Sequence, residues 1–218
     1  MLINRIRLSV FMKNYYIEYN PENTIKLLEL FKEKEVMPSF VTEISRDMKQ
    51  VKRPLIKSNI DNILLIIGSS RIDIRNDDID EARSLQYNKD ELLNFLEKFR
   101  FYFEKLKSAY KDLKVNRMAI NLSILYEKND VMSDNINIEA CKLEEDWVLS
   151  NLSQKKVVDL PNFKKSQANV ILNLINNDKL NIIFDINTIN NPDNEFENVE
   201  IYSFFSDGIE LINNLILN

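Results

Sequence analysis

Apolar and polar residues alternate over residues 3 to 12, with Ile6, Leu8, Val10 and Met12 on one side and Arg5, Arg7, Ser9 and Phe11 on the other. A period of two marks a half-buried strand. Asn20-Pro21 reads as an N-cap followed by proline at the first helical position, where the missing N–H costs nothing. Ile25, Leu27, Leu28 and Phe31 give that helix an apolar stripe, and it is expected to end before Pro38, because the residue preceding proline avoids the α region. From Met48 to Lys57 the chain is basic (Lys49, Lys52, Arg53, Lys57) and interrupted by Pro54, which predicts a loop leading into a strand. Residues 62 to 67 and 71 to 75 are two β-rich runs joined by Gly68-Ser69-Ser70, a hairpin whose glycine can take positive φ. In its second strand Ile72 and Ile74 face the core, while Arg71, Asp73 and Arg75 face out.

Asn88 opens the longest helix, with Glu91 three residues on in a capping-box arrangement. Leu92, Phe95, Leu96, Phe99, Tyr102, Phe103, Leu106, Tyr110 and Leu113 recur at three- and four-residue spacing, a stripe that must lie against a sheet or another helix. From Val115 to Glu127 the period returns to two: Met118, Ile120, Leu122, Ile124 and Tyr126 alternate with Arg117, Ala119, Asn121 and Ser123. Residues 128 to 168 carry the weakest pattern. Glu139 to Leu152, with Cys141 and Trp147, reads as a short helix, followed by a turn at Pro161. A second hairpin joins residues 169–175 to 180–189, and Ser206 is expected to cap a C-terminal helix carrying Ile209, Ile212, Leu215 and Ile216. The fold class this predicts is α+β: antiparallel sheet or sheets, the long amphipathic helix packed on one face, and a C-terminal helix. With no repeat and no low-complexity linker, residues 1–218 read as one unit. The loop between Arg75 and Asn88 is the place for any subdivision, into 1–80 and 81–218.

Composition narrows the chemistry. The 218 residues include no histidine, one cysteine and two glycines, Gly68 and Gly208. The commonest general acid/base and metal ligand is therefore missing, as are Cys clusters and Gly-rich phosphate loops. Asn, Ile, Lys, Phe and Tyr are abundant while Gly, Ala and Pro are scarce, the usage of an AT-rich genome, which accounts for part of the gap. Binding becomes the default expectation, with no cofactor and no enzymatic activity. No apolar run approaches the ~20 residues of a membrane-spanning helix. The alternating N-terminus does not read as a signal peptide. A single cysteine fits a reducing compartment, so a cytoplasmic location and no membrane partner are expected.

The net charge is −5, but it is segregated. No Lys or Arg follows Lys179, while Asp185, Asp193, Glu195, Glu197, Glu200, Asp207 and Glu210 do, leaving about +2 on residues 1–179. Either the acidic end folds back on basic helices of the same molecule, or it presents an acidic face to a basic partner.

Four groups of residues can carry chemistry. Asp73, Asp77, Asp78, Asp80 and Glu81 offer hard oxygen ligands to Mg²⁺, although the spacing matches no calcium loop and acidic residues after a strand commonly form a solvated turn. Arg5, Arg7, Arg71, Arg75 and Arg117, with Asn121 and Ser123, would share one sheet face if their strands are neighbours, suited to phosphate or carboxylate. The competing account pairs these arginines with Asp73 and the acidic end of the chain. The long helix interleaves Lys98, Arg100, Lys105, Lys107 and Lys111 with aromatics, a pattern shared by single-strand binders. Those aromatics fall on the core stripe, and only Phe101 lies off it as an exposed contact. Cys141, among Glu139, Glu144, Glu145 and Asp146, reads as an inert structural thiol.

The run Leu92 to Leu113 followed by Val115-Asn-Arg117-Met-Ala-Ile-Asn121, with Pro38-Ser39-Phe40 and the hairpin at 62 to 75 before it, resembles a sporadically distributed family of uncharacterised prokaryotic proteins. Asn121 departs from the family spacing. The resemblance covers residues 1 to 126 and the C-terminal helix. It implies no catalytic residues; its scattered occurrence implies a link to mobile elements and to antiviral defence or counter-defence systems. The function expected from the sequence is a non-catalytic macromolecular interaction protein that works in a complex, most simply with another protein. The alternatives are a nucleic-acid-binding accessory subunit using the arginine face, and a carboxylate-dependent metal enzyme at Asp77 and Asp78. Partner and oligomeric state stay open.

Overall fold

In the computed structural model the described residues are 1–13, 17–44, 47–76, 85–126, 151–176 and 180–217. The alternating segment forms β1 (Leu2–Met12), and Asn20 caps α1 (Pro21–Leu30) by accepting the Asn23 amide at 2.8 Å. A 3-10 turn (Lys32–Lys34) leads into β2 (Val36–Ile44), β3 (Gln50–Ser58), β4 (Ile63–Ile67) and β5 (Arg71–Asn76). A two-residue β6 (Leu85–Gln86) precedes α2 (Lys89–Ala109), which Asn88 caps through the Asp90 amide. Then follow β7 (Val115–Tyr126), β8 (Asn151–Val158), β9 (Ala168–Asn176), β10 (Leu180–Thr188) and α3 (Asn198–Leu217).

The strands make one antiparallel sheet in the order β2-β3-β4-β5-β1-β7-β10-β9-β8, with β6 paired beside β1. The expected α+β class is what the chain adopts. Ile6, Leu8, Val10, Met118, Ile120, Leu122, Ile182, Phe184 and Ile186 point into a core that the helices close. Phe31, at the end of α1, lies 5.0 Å from the Tyr102 ring of α2, and Phe99 of α2 lies 4.7 Å from Phe205 of α3. The three helices thus form a single layer.

Five sequence expectations are corrected. Residues 36–44 and 50–58 are strands. Pro54 hid β3, but β4 pairs only with Leu55 to Ser58, so the missing N–H at Pro54 takes no bond from that neighbour. Gly68 does not adopt positive φ; a Cβ there would sit 3.3 Å from the Arg71 carbonyl oxygen, so close backbone approach is what selects glycine. Among the described residues those with positive φ are Glu35, Met48 and Asn62. Asn151 and Leu152, read as the end of a helix, open β8; residues 139–150, with Cys141 and Trp147, lie outside the described residues. Ser206 is not a cap, because α3 already begins at Asn198. There the Glu200 carboxylate reaches back to accept the Glu197 amide at 2.7 Å, half of a capping box. The stripe of α1 also differs: Leu27 and Phe31 are buried, while Ile25 is exposed.

Gly208 lets α3 approach the sheet. A Cβ at that position would clash with Ile120 Cδ1 and lie 3.8 Å from Ile186 Cδ1. Gly208→Ala should gain about 1 kcal/mol of helix propensity and lose more to overpacking, for a net loss of about 1–2 kcal/mol. Ile120→Val removes the clashing Cδ1, so the double variant is expected to recover part of that loss in chemical denaturation.

Candidate functional site: an arginine strip on one sheet face

Because β5, β1 and β7 are neighbours, the side chains that alternate away from the core meet in rows. Arg75, Arg7 and Asn121 form one row; Asp73, Ser9 and Ala119 form the next; Arg71, Phe11 and Arg117 form a third. Arg5 stands beside Ser123. Neighbouring strands lie about 4.8 Å apart, so all five arginines predicted for this face share a narrow strip. Phe101 does not join them. It is half-buried in the helical layer, edge-on to Tyr102, with the ammonium groups of Lys34 and Lys105 at 4.7 and 4.9 Å from its ring.

Among the described residues of β5, β1 and β7, the five arginines meet one carboxylate, Asp73. Arg71 Nε pairs with Asp73 at 2.9 Å, and Asp73 also accepts Ser9 Oγ at 2.6 Å. Among the described residues Arg5, Arg7, Arg75 and Arg117 make no ion pair, and the buried Nε atoms of Arg7, Arg75 and Arg117 have no hydrogen-bond partner. Burial lowers the Arg7 pKa from its ordinary value, and the neighbouring charges of Arg71 and Arg5 act the same way against the opposing pull of Asp73 and Asp185. Phe11 lies in register between Arg71 and Arg117, whose guanidinium carbons are 5.8 and 4.9 Å from its ring. These cation–π contacts hold the two guanidinium groups against the ring.

The acidic end of the chain does not supply the missing counter-charge. Glu210 pairs with Lys89, Glu197 with Lys107, Glu195 with Lys114 and Glu200 with Lys165. Its carboxylates fold back on lysines of the helical layer and adjoining loops, the first of the two arrangements the charge pattern allowed. Asp185 lies on the sheet instead, two strands from Arg7 and next to Asn121 in register, where it accepts Asn187 Nδ2 at 3.2 Å. Past β7 the face changes character. Asn4, Ser123 and Asn181, and separately Asn169, Asn187 and Asp185, bond to one another.

At its other margin the strip opens into a cavity of about 350 Å³ lined by Phe11, Val41, Thr42, Glu43, Arg53, Ile66, Arg71, Asp73 and the 68–70 turn. β2 and β1 stand four strands apart in the sheet, roughly 19 Å if it were flat. That residues of both line one cavity shows how strongly this corner curls. Glu43 fastens the curl, accepting Ser69 N at 3.1 Å, Ser69 Oγ at 2.7 Å and Arg53 Nε at 2.7 Å. Burial alone would raise the Glu43 pKa, but the bonds from Ser69 and Arg53 outweigh it and leave the carboxyl below its ordinary 4.5. A depressed carboxylate contributes stability that is full above the unfolded value and lost as pH falls through the folded one. The β4–β5 turn is therefore expected to loosen in acid below about pH 4.5, seen as faster amide exchange at Ser69; Glu43→Gln should abolish that pH dependence.

Of the acidic cluster, Asp73 is committed to Arg71 and Ser9, while residues 77–81 lie outside the described residues. Among the described residues no group of three carboxylates or thiols is placed to hold a metal. Likewise, none of the described helices is long and apolar enough to cross a membrane. The sequence reading put Phe11 on the polar side of β1 but gave it no role; an aromatic ring in a polar register was the available signal. The cavity had none, because it depends on β2 and β3. Comparison with protein-family models and with curated proteins returns no match.

Proposed function

We propose that this protein is a non-catalytic binding protein whose arginine strip holds the phosphate backbone of a nucleic acid. The observation that carries the reading is the row of arginines on β5, β1 and β7 with three buried, unpartnered Nε donors. Stacking like charges costs free energy, and a phosphate set against the row offsets that repulsion and can accept paired N–H bonds from a guanidinium. The acidic end of the chain favours the same reading by being engaged elsewhere, so the net charge of −5 does not describe this face. A place beside prokaryotic defence or counter-defence systems, which the family resemblance implies, belongs to this proposal. The test is fluorescence anisotropy with labelled DNA and RNA at rising salt. Binding should weaken linearly on a log–log plot, with a slope of about −0.7 per phosphate contact for a single strand. Binding that ignores salt, or no binding, would reject the proposal.

A protein partner is the second reading, favoured by β2, an edge of the sheet among the described residues. Met37 and Ile44, and Met48 in the following turn, are exposed there, Met48 at 80%. An unpaired edge with apolar side chains is a template for another chain's strand. Met37→Lys with Ile44→Lys leaves the core untouched and would abolish co-purification of such a partner from the native host.

A further inference from the structure

We infer that the cavity beside Phe11 is a nucleobase subsite, filled by one base of a single strand whose phosphates lie on the arginine strip. The inference rests on the nucleic-acid reading above and adds to it the strandedness of the ligand and the place where a base goes. The cavity and the strip share Phe11 and Arg71, so a ligand on the strip passes the cavity mouth. At about 350 Å³ it lies within the range of small-molecule sites, too large for a phosphate alone.

Its lining is divided as a base requires. Val41, Ile66 and Phe11 supply apolar surface for the ring faces, while the Glu43 and Asp73 carboxylates and the polar 68–70 turn stand around it for the ring's polar edge. Both carboxylates are held in place before any ligand arrives, Glu43 by Ser69 and Arg53, and Asp73 by Ser9 and Arg71. Such preorganisation reduces the ordering cost of binding. A base paired and stacked inside a duplex cannot enter, which selects a single strand or an unpaired base.

The test compares a short single-stranded oligonucleotide with an abasic strand of the same length and charge. Wild-type protein should bind the base-bearing strand about tenfold more tightly, as one stacked base is worth about 1–3 kcal/mol. Val41→Trp fills the cavity from an edge strand that tolerates aromatics, and should bring the two strands to equal affinity. Phe11→Leu keeps the apolar volume without the ring and should reduce the preference, with circular dichroism confirming that both variants fold. Equal affinity of the wild type for both strands, or a full preference in Val41→Trp, would overturn the subsite while leaving backbone binding on the strip. Failure of both strands to bind would overturn the strip and the subsite together.

Discussion

Asp207→Ala is expected to destabilise the folded chain by about 3 kcal/mol. Asp207 sits on α3 with 4% of its surface exposed, and no cation pairs with it among the described residues. Instead it accepts three N–H bonds, from the Asn162 and Phe163 amides at 2.6 and 2.9 Å and from Asn162 Nδ2 at 2.7 Å. These bonds fasten the loop after β8 and seat Phe163 against Phe196 and Phe204. Removing the carboxylate leaves a buried amide at Phe163 without a partner and loosens that aromatic cluster. Each orphaned buried donor costs about 1–3 kcal/mol. Asp207→Asn keeps one acceptor oxygen but turns a donor toward donors, so it should lose nearly as much. Denaturant titration checks both, and a loss below about 1 kcal/mol for alanine, the lower end of that cost, would mean that the loop is held by other contacts.

Arg7→Leu should move binding and stability in opposite directions. Arg7 is half-buried, borders Arg75 in register, and loses hydration by burial, with the repulsion of Arg71 and Arg5 set against the attraction of Asp73 and Asp185. Leucine keeps the apolar packing of the stem and removes the like-charge repulsion along with an orphaned donor. A gain of about 1 kcal/mol is expected, a rise of about 2–4 °C in Tm for a chain of this size. Affinity for single-stranded nucleic acid should fall about tenfold, and combining Arg7→Leu with Arg117→Ala should flatten the salt slope by about 1.4. A residue retained at a cost to stability is the mark of a site shaped by binding. If Arg7→Leu instead unfolds the protein, the strip is structural.

Much of this arrangement was legible in the sequence, because it follows from period two alone. The alternation in residues 3–12, 71–75 and 115–127 assigned the arginines to the sides of their strands away from core positions such as Leu8, Ile72 and Ile120, and the structure places them there. Only strand adjacency was missing, since no local pattern records that β1 lies between β5 and β7. The caps at Asn20 and Asn88 were equally legible, because their chemistry is local. Where the reading failed, a tertiary contact overrode a local signal. Pro54 marks a loop by propensity, yet it sits in β3, opposite Phe40 of β2 and beyond the stretch that pairs with β4. Ser206 has the chemistry of a cap, but Phe204 and Phe205 are buried in the core and draw the helix back to Asn198. The cavity was invisible for the same reason: its walls come from five strands, and Glu43 acquires its role only when the sheet curls to bring Ser69 against it.

The central claim concerns three atoms, the Nε groups of Arg7, Arg75 and Arg117, and nuclear magnetic resonance reads them individually. In a ¹⁵N-labelled sample titrated with a short single-stranded oligonucleotide at low salt, the Nε–H signals of these arginines should shift first and furthest, and slow in their exchange with water. The paired Arg100, bonded to Glu104 on α2, serves as the internal control and should not move. Shifts confined to other cations, with the three Nε–H signals unchanged at saturation, would contradict the account.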